Sequence, residues 1–361
     1  MNARRLLLDF VAREWLLMAS AAGLAMTSLY LQRLPAYGRQ ELTPIFLLLA
    51  LFIAVRGIES SGALFRLGRI LERGRYLPFK LVVITFLLSM VVTIDVSLVT
   101  MIPLVLSLRT RLRDPLVILV ALTAHAGAAL TPFGTPQNLF VFSFYGIAPG
   151  EFVRVIAPFS LGMLALFLIA ALFLDRLRDG PAGESPASPA VDTRIAVVYG
   201  GLLLLVVLCV LRILPAWVAL AAVLHGLLRD RYSLRIDYGL LATFILFIGL
   251  ADNVRGIVAQ DLEHTGHVFV LSALLSQFIS NVPTTLLLTK FTGEWEALLW
   301  GVNVGGFGSL MGALANLITY RLYLNHANGD DVRAFTIRFV LFGYAAFFAG
   351  AALYLAIGPV A

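Results

Sequence analysis

Apolar residues run along this chain in long blocks. They do not alternate as in a half-buried strand, nor form the one-sided stripe of a soluble helix. A helix that crosses a bilayer needs about 20 predominantly apolar residues. Blocks of that kind predict crossings near residues 15–31, 44–58, 116–145, 152–174, 195–211, 214–228, 238–251, 294–323 and 335–357. Two more blocks are punctuated by polar residues and read as re-entrant hairpins. Residues 81–108 are interrupted by Thr93, Asp95, Ser97 and Thr100, and residues 268–290 by Ser276, Gln277, Ser280, Asn281, Pro283 and Thr284. The expected fold is an all-α polytopic membrane protein of about nine spanning helices plus two re-entrant hairpins.

Composition agrees with the pattern. Of 361 residues, 60% are hydrophobic and 13% charged, against about one-quarter charged in a soluble domain. That excludes a water-soluble globular protein, a disordered chain and a small disulfide scaffold. The single cysteine, Cys209, allows neither an intrachain disulfide nor a cysteine-based metal site.

The formal charge of +6 is an orientation signal, because cytoplasmic loops carry the excess of Lys and Arg. With the N-terminus inside and both hairpins re-entrant, 21 of the 27 basic residues fall inside and 6 outside. The outer six are Arg33, Arg39, Arg154, Arg212, Arg255 and Lys290. If the first hairpin crossed fully, the basic clusters at 66–80 and 109–113 would lie on opposite faces and the bias would collapse. The expected topology is therefore multi-pass, N-terminus cytoplasmic and C-terminus outside. Nothing points to nucleic acid as a partner. The first apolar block has Glu14 before it and no clear small-x-small site after it, so it reads as an uncleaved first helix. Residues 178–194, rich in Pro, Gly, Ser and Ala, read as a flexible cytoplasmic loop, and residues 63–74 as an amphipathic helix on the inner membrane surface.

The two halves share a pattern: a short helix, a punctuated hairpin, then a long helix broken by a Gly/Asn cluster. Aligning the run from Thr131 to Leu139 with the run from Ser309 to Leu317 places Gly134 over Gly312 and Asn138 over Asn316, 178 residues apart. The hairpin tips align Asp95 with Asn281. Five full crossings separate the starts of the two repeats, so the second is inverted, a recurring design of secondary transporters. The chain then divides into an N-terminal helix and connector (1–42), a first transport repeat (43–177), the cytoplasmic loop (178–194), linking helices (195–237) and a second, inverted repeat (238–361).

Polar backbone at membrane depth is tolerated only where protein buries it or where it lines a wet cavity, and four such breaks occur. At Thr131–Asn138, Pro132, Gly134 and Pro136 prevent a continuous helix. Thr135 can cap the second half-helix with Pro136 at its first position, which aims free N–H groups and a positive dipole end into the interior, and Gln137 and Asn138 add amides. At the second hairpin tip, Ser280, Asn281 and Thr284 flank Pro283. At the first tip, Thr93, Asp95 and Ser97 break the apolar run, and an ionisable residue within a membrane segment points to function. The fourth break is Gly305–Gly312, with Ser309, Gly312 and Asn316 as candidates. His125, just before the first break, reads as a locally hydrogen-bonded histidine with a proton relay as the alternative. Asp252 and Asn253 are expected at a helix end. No HExxH, paired Asp or Ser/His signature indicates an intramembrane enzyme.

The motifs TPFGTPQNL and SNVPT, set in this repeat, resemble the ion transporter superfamily, most closely its citrate-transporter-like and arsenite permease families. The resemblance spans roughly residues 44–357. It implies a scaffold plus a moving transport domain, usually a homodimer, with hairpin tips and broken helices binding the substrate and Na⁺ or H⁺ as coupling ion. By position, Asn281 and Thr284 match the second hairpin motif, and Thr131, Gly134, Gln137 and Asn138 the first broken-helix motif. Ser309, Gly312 and Asn316 match in part, because Ala313-Leu314-Ala315 replaces the usual polar run. Asp95 stands where the dicarboxylate branch has an amide, while arsenite permeases and Na⁺/H⁺ antiporters carry an acid there. The function expected is a secondary active transporter of a small anion, carboxylate or oxyanion, with no cofactor beyond the coupling ion. Any Na⁺ is expected near Asp95, Asn138, Asn281 and Asn316. A Na⁺/H⁺ antiporter or arsenite-type efflux permease on the same scaffold is the alternative.

Overall fold

The structure, a computed structural model, describes residues 15–64, 66, 76–108, 110, 112–176, 191–257, 265–326 and 329–359. The basic N-terminus and nearly all of the segments 63–74 and 178–194 lie outside the described residues. Fifteen α-helices are described, with no strand among the described residues. They are α1 (Trp15–Leu31), α2 (Arg39–Ser60), α3 (Leu77–Val91), α4 (Ile94–Ser107), α5 (Arg113–Ala129), α6 (Pro136–Phe144), α7 (Pro149–Arg176) and α8 (Thr193–Val210), then α9 (Leu220–Leu228), entered through a short 3₁₀ turn, Ala216–Ala219. The second half holds α10 (Tyr238–Ile257), α11 (Thr265–Ile279), α12 (Asn281–Leu288), α13 (Trp295–Gly305), α14 (Leu314–Leu324) and α15 (Gly329–Ile357).

Each predicted crossing coincides with helix, but 214–228 holds only the turn Ala216–Ala219 and the nine-residue α9, too short to span on its own. α2, α7, α8, α10 and α15 are long and apolar enough to span a membrane on their own. The 116–145 and 294–323 crossings are the broken pairs α5–α6 and α13–α14. The arms α3 and α11 are 15 residues each, about 22 Å at 1.5 Å per residue, so neither crosses a hydrocarbon core of about 30 Å. Outer helix faces carry exposed apolar side chains such as Leu29, Phe278 and Leu355, the surface expected against lipid.

Two boundaries differ from expectation. α2 begins at Arg39, five residues before Pro44, so this proline lies inside the helix, where it lacks the N–H that would donate to the Gln40 carbonyl. α10 runs past Ala251 to Ile257, so Asp252 and Asn253 sit inside its closing turns. The buried Asn253 amide donates to Thr27 and Ser28 of α1, at 3.1 and 2.9 Å, and Asp252 accepts from the Ala36 amide and pairs with Arg33. Those partners take up the Asn253 N–H groups and the Asp252 carboxylate, while Asn253 Oδ1 is buried without a partner among the described residues.

Small residues let the hairpins lie close against the broken helices. A Cβ on Gly127 of α5 would overlap the Phe86 carbonyl and the Ser89 hydroxyl of α3, and one on Gly305 of α13 would overlap Ser276 and the Ala273 carbonyl of α11. Close helix approach at small residues is a main source of association in lipid. Gly127→Ala and Gly305→Ala are each expected to destabilise the fold by about 1–3 kcal/mol through overpacking. Thermal unfolding of the purified variants measures this, and an unchanged midpoint would show that the hairpins are not held by this contact.

Candidate functional site

The breaks are built by matched hydrogen bonds in the two halves. Thr135 caps α6, its hydroxyl accepting the Asn138 N–H at 3.4 Å, with Pro136 at the first position. Ala313 has the same extended backbone before α14 but no side-chain cap. The Ile94 amide at the first hairpin tip donates to the Gly134 carbonyl at 3.1 Å, and the Asn281 amide at the second tip donates to the Gly312 carbonyl at 2.9 Å. Thr131 donates its hydroxyl to the Met90 carbonyl at 3.0 Å, and Ser309 to the Gln277 carbonyl at 3.0 Å. Asn138 donates its side-chain amide to the carbonyls of Ala128, Ala129 and Thr131, and Asn316 to those of Gly306 and Ser309. The broken helices therefore correspond with the spacing of 178 that the sequence indicated. The hairpin tips correspond one residue away from the sequence pairing: Ile94 matches Asn281, and Asp95 matches Val282. The backbone hydrogen bond, not polarity, sets that register.

Four helix N-termini meet at one cavity of about 80 Å³. Ile94 and Asp95 come from α4, Thr135, Pro136 and Gln137 from α6, Ser280 to Pro283 from α12, and Ala313 to Ala315 from α14, with His125 of α5 and Thr243 of α10 alongside. The first amides of each helix have no carbonyl within their own helix, and each terminus carries about half a positive charge. An anion can be held there without a basic side chain, and no Lys or Arg lines the cavity among the described residues. Trp15, Leu16 and Leu240, near the starts of α1 and α10, lead from the cavity to one face. At the far end of α6, Tyr145 donates to the Thr292 carbonyl at 2.8 Å, and Lys290 pairs with Glu41.

Of the candidate residues, Asp95, Thr135, Gln137, Ser280 and Asn281 line the cavity. Thr131, Gly134, Asn138, Ser309, Gly312 and Asn316 form the framework of the breaks instead. Ser97 and Thr284 are buried one turn into their helices, bonding to the Thr85 and Ser280 carbonyls. Of the four residues expected around Na⁺, only Asp95 and Asn281 reach the cavity. Asn138 and Asn316 turn their amides to backbone carbonyls, and Asn138 Oδ1 accepts from Asn303 at 2.9 Å. Asp95 makes no hydrogen bond or ion pair with another described side chain; the carboxylate of Asp237 lies within electrostatic range. Ser280 sits at φ +73°, a strained conformation for a non-glycine residue that costs about 1–3 kcal/mol, whereas Thr93 at the matching tip is extended.

Two contributors, Gln277 and Asn303, escaped the sequence reading, and a third, His125, differs from its local reading. Gln277 fills the second break, donating to the carbonyls of Gly305 and Phe307 while accepting the Ser309 amide at 2.9 Å. Asn303 buttresses the first break through Asn138. His125, read as locally bonded, is buried with Nε2 unpartnered. The signal for Gln277 and Asn303 was only an amide inside an apolar helix.

Helices with apolar outer faces, enclosing a mainly apolar cavity ringed by helix ends, make a multi-pass membrane protein. The profile of the family described as citrate transporter matches residues 7–305, and the chain belongs to that family. It is 35% identical over 270 residues to an uncharacterized transporter of Methanocaldococcus jannaschii, covering 70% of this chain and 73% of that one. It is 32% identical over 295 residues to inner membrane protein YbiR of Escherichia coli, covering 77% and 79%. It is 25% identical over 388 residues to the silicon efflux transporter LSI3 of Oryza sativa, covering 78% and 79%.

Proposed function

We propose that the protein is a secondary active transporter that binds a small anion, or the conjugate acid of one, in the cavity between the two hairpin tips and the two broken helices, coupled to H⁺ or Na⁺ through Asp95. The observation that carries this reading is the meeting of four helix N-termini around one unpaired carboxylate. The termini attract negative charge; Asp95, with no Lys or Arg to offset it, disfavours a multiply charged one. A volume of about 80 Å³ holds several waters, given about 10–15 Å³ of such space per water, and suits an oxyanion or oxyacid better than citrate. The name of the rice relative supports an oxyacid substrate and outward transport.

The inner membrane is the proposed location, supported by the name of the Escherichia coli relative, with the N-terminus and the Arg229–Arg235 loop cytoplasmic, the C-terminus outside and a homodimer as the assembly. On that orientation the cavity opens inward, and Tyr145 and the Lys290–Glu41 pair close the outer side. Cation/proton antiport is the second reading, favoured by the lone carboxylate.

Vesicles reconstituted with the protein test both. Silicic acid, arsenite, sulfate, succinate and citrate are offered under an imposed pH or Na⁺ gradient. Gradient-driven movement of silicic acid or arsenite, with little sulfate, succinate or citrate flux, is the expected result. Na⁺/H⁺ exchange with no movement of any of the five would overturn the anion reading in favour of antiport.

A further inference from the structure

The two halves of the molecule match in backbone but differ at one buried pair. In the first break, Asn303 of α13 donates to Asn138 Oδ1 at 2.9 Å, an uncharged contact at any pH. The position on α5 that corresponds to Asn303, at the same spacing of 178, is His125, and the residue corresponding to Asn138 is Asn316. His125 Nε2 abuts Gly306, where a Cβ would collide with it, and Asn316 donates to the carbonyl of that same Gly306 at 3.0 Å. His125 and Asn316 thus both reach Gly306, but no hydrogen bond joins them among the described residues. His125 is 2% exposed, its Nε2 has no partner, its ring lies 5.4 Å from that of Phe307, and it lines the cavity beside Asp95.

Leaving an imidazole nitrogen buried without a partner is unfavourable, and an asparagine in its place would restore the pair seen in the other half. What histidine adds is a second protonation state. We propose that His125 binds the coupling proton: protonated, it gains an Nε2–H that donates to the second break, with Asp95 in the same cavity as counter-charge; neutral with its proton on Nδ1, its Nε2 has no proton to donate and the break is left unlatched. This rests on the transport reading above and specifies its coupling ion as H⁺. Among the described residues, the charged groups on the elements packed against α5 leave Asp95, which lines the same cavity, as the counter-charge. α4 brings Asp95, and Asp237 stands at the start of α10. Lys80 of α3, Glu151, Arg154, Asp175 and Arg176 of α7, Glu296 of α13, Arg321 of α14, Arg333 and Arg338 of α15, and Arg113 and Asp114 of α5 itself all lie towards helix ends.

Two measurements test the proposal. In ¹⁵N-histidine-labelled protein in lipid, the imidazole signals lost in His125→Asn identify His125. Protonated-ring signals at that site should appear as the pH is lowered from 8 to 4, and a neutral ring throughout would overturn the proposal. In vesicles loaded with a pH-sensitive dye, an arsenite or silicic acid gradient should move protons with the solute, and His125→Asn should lower the proton-to-solute flux ratio at least tenfold. Solute movement without protons in the unaltered protein, or an unchanged ratio in the variant, would refute the proton role while leaving transport intact. Titration of His125 in a protein that moves no solute would instead refute the transport reading and support the proton site.

Discussion

Replacing Asn138 with leucine is expected to lower stability by about 2–3 kcal/mol, more than Asn316→Leu. The ordering follows from the partners. Asn138 donates to three carbonyls and accepts from Asn303, whereas Asn316 donates to two carbonyls. Hydrogen bonds between membrane helices average well below 1 kcal/mol, because groups released in lipid find other partners. The carbonyls at a helix break have no such alternative, since the downstream N–H groups that would satisfy them belong to a separate half-helix. Each buried polar group left unsatisfied costs about 1–3 kcal/mol, and that term dominates. Thermal unfolding of the two variants in the same detergent checks both size and order. Equal, small shifts would mean that the breaks are held mainly by the tip-to-glycine backbone bonds.

Asp95→Asn should do the opposite: leave stability unchanged or raised while removing coupling. A carboxylate in a structural ion pair costs about 3–5 kcal/mol when its partnership is broken. Asp95 has no ion-pair partner among the described side chains, so the isosteric amide relieves desolvation and repulsion from Asp237 without orphaning any group. In vesicles, the variant's gradient-driven accumulation of the transported solute should fall at least tenfold, toward simple equilibration. Retained dependence on the pH or Na⁺ gradient would remove Asp95 from coupling, and a large drop in unfolding midpoint would make it a structural residue.

The sequence carried the architecture because lipid leaves few options: an apolar block is a helix, and a polar interruption within it is a break with a purpose. Pro132, Gly134 and Pro136 thus announced the α5–α6 break, and Pro283 with Ser280 the second tip. What each polar side chain does at those places was less legible. Thr131 and Ser309 read as ligands, but their hydroxyl protons go to hairpin carbonyls; Asn138 and Asn316 read as cation ligands, but their amides hold the breaks. Polarity at depth shows only that a donor must find an acceptor, and whether that acceptor is a carbonyl or a bound solute depends on register. The tip alignment shows the same limit: Asp95 and Asn281 look equivalent as polar residues, yet the hydrogen bonds to Gly134 and Gly312 pair Asn281 with Ile94. His125 was legible only as a histidine beside the first break, with local bonding and a proton relay as its two readings; its match to Asn303 in the other half appears only once the halves are superposed by hydrogen bonds.

The central claim is that the solute sits where the four helix ends meet. Its most direct measurement is the rate at which a small thiol reagent labels Ser280→Cys in a Cys209→Ser background, with silicic acid, sulfate, succinate or citrate present. The account predicts labelling from the cavity that slows several-fold with the solute the vesicles transport and not with the others. A rate indifferent to the transported solute, or a thiol that never reacts, would contradict it.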